Sequence, residues 1–371
     1  MAALWAVNAM ACAPVVRPGP AHQELAWPAY LGSPRHDAAA GETLNPDPRP
    51  LWRTNVGRAV RGSPALGEAV LAAGTADRHV VLVDRASGDV RWRQRLDGTI
   101  RGGPLLDDDR LYVATEAQPA GRVYALRLRD GTPIWRRSVG GSVAAPLALD
   151  GDALYAGTED GTLLRLDAER GTITWRRRLP GAVRAAPVPT PLGLVVATTA
   201  DTLYLLDLQT GAVAARFATP GTVLATPAFG GDRLYLGTTG GRVLAVTLPE
   251  LRLLWEQAAG DAVYGAPALA RDTVYVLARN GILWLIPVSD PAAATSHALG
   301  IVATAGPTPL APGAGGGVLV GSVTGEVLLV DPALGTIRWR AQVTGPIEEP
   351  PLVQGRQLVV VAGRGDIHAY R

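Results

Sequence analysis

The sequence predicts an all-β chain folded as an eight-bladed β-propeller of four-stranded antiparallel blades, and three observations carry that prediction. A motif of small residues ending in proline recurs eight times at a nearly constant interval. Each interval holds four strand-like segments separated by turn residues. The last repeat stops one strand short, and the N-terminal part supplies a segment of the missing type.

The motif reads Gly62-Ser63-Pro64, Gly102-Gly103-Pro104, Ala144-Ala145-Pro146, Ala185-Ala186-Pro187, Ala225-Thr226-Pro227, Gly265-Ala266-Pro267 and Ala305-Gly306-Pro307, with Glu349-Pro350-Pro351 as the least regular copy. Successive prolines lie 40, 42, 41, 40, 40, 40 and 44 residues apart. Four antiparallel strands in about forty residues is the arithmetic of a propeller blade.

In the copy around Pro146 the predicted strands are 143–149, 153–158, 162–167 and 172–179. Asp150-Gly151-Asp152, Glu159-Asp160-Gly161 and 168–171 join them as hairpin turns. The first strand carries the proline, which cannot donate to a ladder and so belongs on an edge, here the one lining a central channel. Small residues beside it suit the crowding where blades converge. The third segment is a short apolar run (80–83, 203–206, 327–330), as expected of a strand covered on both faces. The fourth alternates, with Val90, Trp92 and Leu96 on one side and Arg91, Arg93 and Arg95 on the other. Its charge suits an outer edge that must not pair with other chains. No window holds a helical period.

Closure follows from the same count. The final copy ends at its third strand, 366–371, while Leu51-Trp52-Arg53-Thr54-Asn55-Val56 matches a fourth. The predicted organisation is a leader and tether at 1–20, an extended segment at 21–50, and one propeller at 51–371.

Composition narrows the chemistry. The 35 basic and 33 acidic side chains leave a formal charge of +2, which gives no support for a nucleic-acid partner. Every basic residue is arginine, so a Walker A phosphate loop and Schiff-base lysine chemistry are excluded. A lone cysteine, Cys12, excludes an intrachain disulfide framework. The five histidines, His22, His36, His79, His297 and His368, show no ligand spacing, and no hydrolase or metalloprotease motif occurs. Asp107-Asp108-Asp109 aligns with the turn Asp150-Gly151-Asp152 and reads as a solvated turn. No catalytic, cofactor or metal residue is assigned.

The segments Asp84-Arg85-Ala86-Ser87-Gly88-Asp89-Val90-Arg91-Trp92 and Asp167-Ala168-Glu169-Arg170-Gly171-Thr172-Ile173-Thr174-Trp175 resemble the tryptophan-docking repeat of quinoprotein-type (PQQ-like) propellers, as does the copy from Asp331 to Trp339. Trp52, Trp135 and Trp255 occupy equivalent places, Ala215 replaces the indole in one copy, and the stretch near His297 departs from the pattern. The aspartate suits the turn, glycine a positive φ, and the indole the space between blades. The resemblance implies fold more than function, because catalytic and non-catalytic families share this blade. The quinone-dependent dehydrogenases among them imply a calcium ion, a catalytic aspartate and often a vicinal disulfide, which a single cysteine cannot form.

Residues 1–11 are apolar apart from Asn8, and Ala9-Met10-Ala11-Cys12 resembles the cleavage box of a bacterial lipoprotein, followed by the proline-rich stretch 13–20. Cys12 is therefore the expected lipid attachment point, and no segment reaches the roughly 20 apolar residues of a spanning helix. A small buried thiol is the alternative.

One column varies where a scaffold would repeat. Three residues before each motif proline stand Arg61, Arg101, Val143, Arg184, Leu224, Tyr264, Thr304 and Glu348. We read Arg61, Arg101, Arg184, Tyr264 and Glu348 as a partner-binding surface near the channel mouth; the alternative is a set of solvated channel residues. Eight blades with almost no insertions, the lipoprotein-like cysteine and the ending on a third strand are similar to the BamB family of the outer-membrane β-barrel assembly machinery. That resemblance implies a non-catalytic, monomeric periplasmic scaffold, lipid-anchored to the outer membrane. It would bind the barrel-assembly subunit and use no cofactor. A quinone- or small-ligand-binding propeller, or an envelope module with another client, are the alternatives. The family presents acids with an arginine on adjacent blade loops; here Arg184 has Thr222 and Leu224 in the next blade.

Overall fold

The computed structural model describes residues 42–117, 120–313 and 315–371. Cys12, the lipoprotein-like box and residues 1–41 of the predicted leader and extended segment lie outside the described residues.

The described chain forms eight four-stranded antiparallel sheets, each running from an inner to an outer strand. Blades 1 to 7 occupy 65–95, 105–138, 148–178, 188–218, 228–258, 268–298 and 308–342. Blade 8 combines Leu352–Gln354, Gln357–Ala362 and Asp366–Tyr370 with the N-terminal strand Pro50–Asn55, so the ring closes as predicted. The second strand of blade 1, Val70–Gly74, is buried throughout, because neighbouring blades cover both of its faces. The apolar core is correspondingly divided among the seams: Tyr112 and Val123 of blade 2 pack with Leu154 and Leu164 of blade 3. The cluster spanning blades 7, 8 and 1 also takes in Leu44.

The closing seam carries extra polar ties. Asp366 accepts from Asn55 Nδ2 at 3.1 Å and pairs with Arg53 Nη2 at 3.2 Å. Arg49 and Arg371 exchange backbone hydrogen bonds of 2.9 Å. Arg85 of blade 1 donates through Nε to Gln357 Oε1 at 2.8 Å and through its terminal nitrogens to the carbonyls of Gly67, Glu68 and Gln354. Gln357 Nε2 donates back to the Arg85 carbonyl at 2.9 Å.

Indoles tie three of the other seams. Trp92, Trp135 and Trp175 donate through Nε1 to the carbonyls of Leu128, Ala168 and Leu208 at 2.8, 3.0 and 3.1 Å. Each ring lies over a turn glycine of the next blade, where an added Cβ at Gly131, Gly171 or Gly211 would meet it at 2.7, 2.5 or 2.7 Å. These glycines also have φ near +70°, so both space and backbone demand the residue.

Three local expectations are corrected. The inner strand of blade 3 is Ala148–Asp150, not 143–149, so Pro146 precedes the strand and the variable column sits in the interblade loop. Blades converge too tightly there for pairing: a Cβ on Gly102 would lie 2.3 Å from the Ala145 carbonyl oxygen. The outer strands contain a β-bulge, which leaves Arg91 as the extra residue between Val90 and Trp92 and interrupts the simple alternation. Val90 consequently is 41% exposed. Finally, His297 does take a docking place: its Nε2 lies 2.9 Å from the Pro332 carbonyl, with the ring over Gly335. The 3-10 turn Pro291–Ala293 lengthens that copy, which hides the equivalence from a fixed spacing.

Antiparallel order fixes the two ends of the ring. The turns joining first to second and third to fourth strands share one end, here the turn face. The turns joining second to third strands share the other with the interblade loops, here the loop face. Residues 42–44 lie on the turn side of blade 7, where Ala311 N donates to the Glu42 carbonyl at 2.9 Å.

Candidate functional site

The variable column lies on the loop face. Arg61, Arg101, Arg184 and Glu348 are exposed there, and Tyr264 is 38% exposed. Val143 is buried instead, and Leu224 and Thr304 are partly so.

Two of the arginines are held by acids from the turns that join second to third strands on the same face. Arg184 grips Glu159 through Nε at 3.1 and 3.2 Å and through Nη2 at 3.0 Å, in a forked arrangement. Arg101 Nε approaches Glu116 Oε1 at 3.4 Å. In the next blade Thr222 donates to Asp201 at 2.6 Å, so an acid does stand beside the threonine.

Arg101 and Arg184 share one cavity of about 160 Å³ at the channel mouth, lined also by Ala144, Pro146, Leu224 and Glu349. Arg61, Tyr264 and Glu348 stand on the same face outside that lining. The structure thus joins two of the five predicted residues in one space and spreads the others around it.

Glu349 is the member that the sequence reading passed over. Its place in the motif is taken by Gly62, Gly102, Ala144, Ala185, Ala225, Gly265 and Ala305 in the other seven copies, and that contrast was its signal. Burial, reinforced by the Glu348 charge, pushes the Glu349 carboxyl up to about 8, against the opposing pull of the Gly62 backbone N–H. Although part of its surface still faces the channel, its carboxyl is largely removed from water.

The turn face carries a second, more open cavity of about 410 Å³ between blades 5 and 6, lined by Asp232, Arg233, Tyr235, Leu269, Arg271 and Val288. At that seam the buried Trp255 Nε1 has no partner. Among the described residues, no group of three or more His, Cys, Asp or Glu side chains could hold a metal ion, and no helix is long and apolar enough to cross a membrane. A quinone cofactor with its calcium would call for acidic and amide groups over the channel. Two arginines already engaged by glutamates, with the Glu349 carboxyl as the one acid lining the cavity, do not fit that donor set.

Comparison with known proteins agrees with this architecture. The sequence model of the family described as outer membrane protein assembly factor BamB matches residues 42–120, 119–288 and 288–371. No protein of curated function matches the chain significantly. Among solved structures, BamB from Moraxella catarrhalis is similar at 19% identity and a TM-score of 0.68, covering 86% of this chain and 98% of that one. The computationally designed Ika8 protein is similar at 15% identity and a TM-score of 0.73, covering 87% of this chain and 99% of its own. The quinohemoprotein alcohol dehydrogenase from Comamonas testosteroni is similar at 12% identity and a TM-score of 0.71, covering 94% of this chain and 81% of that enzyme. At these identities the likeness is one of fold.

Proposed function

The chain belongs to the outer membrane protein assembly factor BamB family, and from that premise we propose that it is a non-catalytic scaffold of the bacterial envelope that binds protein partners in outer-membrane β-barrel assembly. The observation that carries the proposal is the family match running from residue 42 to the C-terminus, over a closed ring of eight blades. The proposed contact surface is the loop face around Arg61, Arg101, Arg184, Tyr264 and Glu348. Those side chains combine charge, one exposed aromatic ring and freedom from the strand ladders, which is the composition of a recognition surface. Residues 42–44 lie on the opposite, turn face. A periplasmic lipid anchor at Cys12 belongs to the same proposal.

The test is crosslinking in the native envelope, followed by capture of the tagged full-length protein and identification of bound chains by mass spectrometry. Recovery of the barrel-assembly subunit, lost in the triple variant Arg61→Ala, Arg101→Ala, Arg184→Ala with unfolding unchanged, is the expected result. Absence of that subunit while other envelope complexes survive would overturn the reading. The likeness in fold to a quinohemoprotein dehydrogenase supplies the competing reading, and calcium- and quinone-dependent dye reduction by the purified protein would favour it.

A further inference from the structure

The channel mouth contains a carboxyl that the ring does not require. A methyl group is already the largest substituent at the seven other copies of the Glu349 position, and where glycine stands the space is smaller still: a Cβ on Gly62 would lie 2.2 Å from the Arg101 carbonyl oxygen. Only blade 8 sends an ionisable side chain from this column into the cavity. Blade 8 and blade 4 stand opposite one another in a ring of eight, so Glu349 and Arg184 approach the cavity from opposite walls.

We propose that this cavity binds one small oxyanion, a carboxylate, sulfate or phosphate group, held by the Arg101 and Arg184 guanidiniums and by a hydrogen bond donated from the Glu349 carboxyl. The guanidiniums have donors to spare. Arg101 meets Glu116 through Nε, and Arg184 uses Nε and Nη2 on Glu159, which leaves Nη1 of Arg184 and the terminal nitrogens of Arg101 for a ligand. About 160 Å³ admits an oxyanion with its waters but not a large cofactor. Ala144, Pro146 and Leu224 make part of the wall apolar, which strengthens every polar contact inside it.

Burial is the main reason that Glu349 holds its proton, and the charged groups that face it add to or oppose that effect. Glu348 beside it opposes ionisation, as burial does, and only the Gly62 N–H favours it. Arg61 stands on the adjoining loop, and Arg184, across the cavity, and Arg101, a quarter-turn round the ring, are partly neutralised by Glu159 and Glu116. With a pKa of about 8, Glu349 keeps its proton at neutral pH and can donate it to a bound oxygen. Above that pH it becomes a second anion and repels the ligand. The inference is independent of which protein partner the loop face binds.

The experiment is a calorimetric and NMR titration of the full chain with sodium acetate and sodium sulfate, neither of which changes charge between pH 6 and 9, at constant ionic strength. We expect saturable binding that weakens about tenfold from pH 7 to pH 9. The double variant Arg101→Ala, Arg184→Ala should bind at least about tenfold more weakly, and Glu349→Gln should bind with no pH dependence over that range. Should the double variant fail to fold, Arg184→Gln alone decides by the same titration. Two short peptides, one with a free C-terminus and one amidated, distinguish a polypeptide end from a free anion as the source. Failure of every probe to saturate the site, affinity that rises with pH, or unchanged affinity in the arginine variants would overturn the proposal.

Discussion

Leu251 occupies, with a left-handed backbone of φ +54°, the place where four preceding seams carry a docking glycine, and it does so opposite Ala215, which stands where their outer strands carry an indole. The two sites are both displaced by forty residues from Trp175 and Gly211, so they form one exchanged pair. Leu251 and Leu248, 3% and 4% exposed, fill the volume that the missing ring vacates, with Ala215 packed against their cluster. A tryptophan that requires glycine has become an alanine that permits leucine. The left-handed backbone is retained although a non-glycine residue there costs about 1 kcal/mol.

This exchange predicts strong coupling. Ala215→Trp alone should destabilise the protein by about 2–4 kcal/mol, because the indole and the Leu251 side chain claim the same space. Leu251→Gly alone should cost about 2–3 kcal/mol through the cavity it leaves, reduced by relief of the backbone strain. The double variant should recover most of both losses, and a double-mutant cycle in urea would measure the coupling. Additive losses would show that the two residues are not a pair.

Arg85 should be the most costly polar side chain to remove at the closing seam. Its contacts reach Gln357, Gln354, Gly67 and Glu68, and it thereby joins blade 1 to blade 8. Arg85→Ala should lower stability by about 2–4 kcal/mol, since it leaves the Gln357 amide oxygen without its donor and takes a donor from several carbonyls. Hydrogen exchange should accelerate first in Pro50–Asn55 and Asp366–Tyr370, the strands whose pairing closes the ring.

Stability should decline on the alkaline side through Glu349. Its folded-state pKa of about 8 lies above its ordinary value of 4.5, so the folded state holds this proton more tightly than the unfolded chain does. The associated stability is complete below about pH 4 and is lost as pH rises through 8. Glu349→Gln should remove that slope and raise stability at pH 9 by about 2–4 kcal/mol, as read from denaturation at pH 5, 7 and 9. An unchanged slope in the variant would assign it to other groups.

On the acid side the turn aspartates act in the opposite sense. The Arg91 side chain holds Asp84 below the usual carboxylate range, Thr158 does so for Asp160, and Thr132 brings Asp130 down to about 2. Their contribution is present above about pH 4 and is lost as pH falls through their lowered values. Replacing Asp84 and Asp160 by Asn should therefore flatten the loss of melting temperature between pH 4 and pH 2, with less effect at pH 7.

The fold was legible because each blade buries the same faces and turns with the same residues, so burial repeats along the chain as a pattern of prolines, glycines and tryptophans. Arg101 and Arg184 were legible for the complementary reason: they break a column that packing would otherwise have made uniform. Glu349 breaks its column more sharply still, yet a fixed reading of the motif took it for an irregular repeat, since its meaning lies in a cavity shared with residues more than a hundred and sixty positions away. His297 escaped because two extra residues in the preceding turn shifted it off the forty-residue interval from Trp255.

What the sequence determined by itself was therefore what repeats at a constant interval: blade number, strand order, the closing N-terminal strand and the docking tryptophans. These follow from local periodicity, in which side chains alternate across strands and turns demand particular backbone angles. Only the tertiary structure decided which irregular residues meet. The convergence of Arg101, Arg184 and Glu349 and the Arg85 lock join side chains that closure of the ring brings together, and the Ala215–Leu251 exchange joins two that only the packing of neighbouring blades sets face to face.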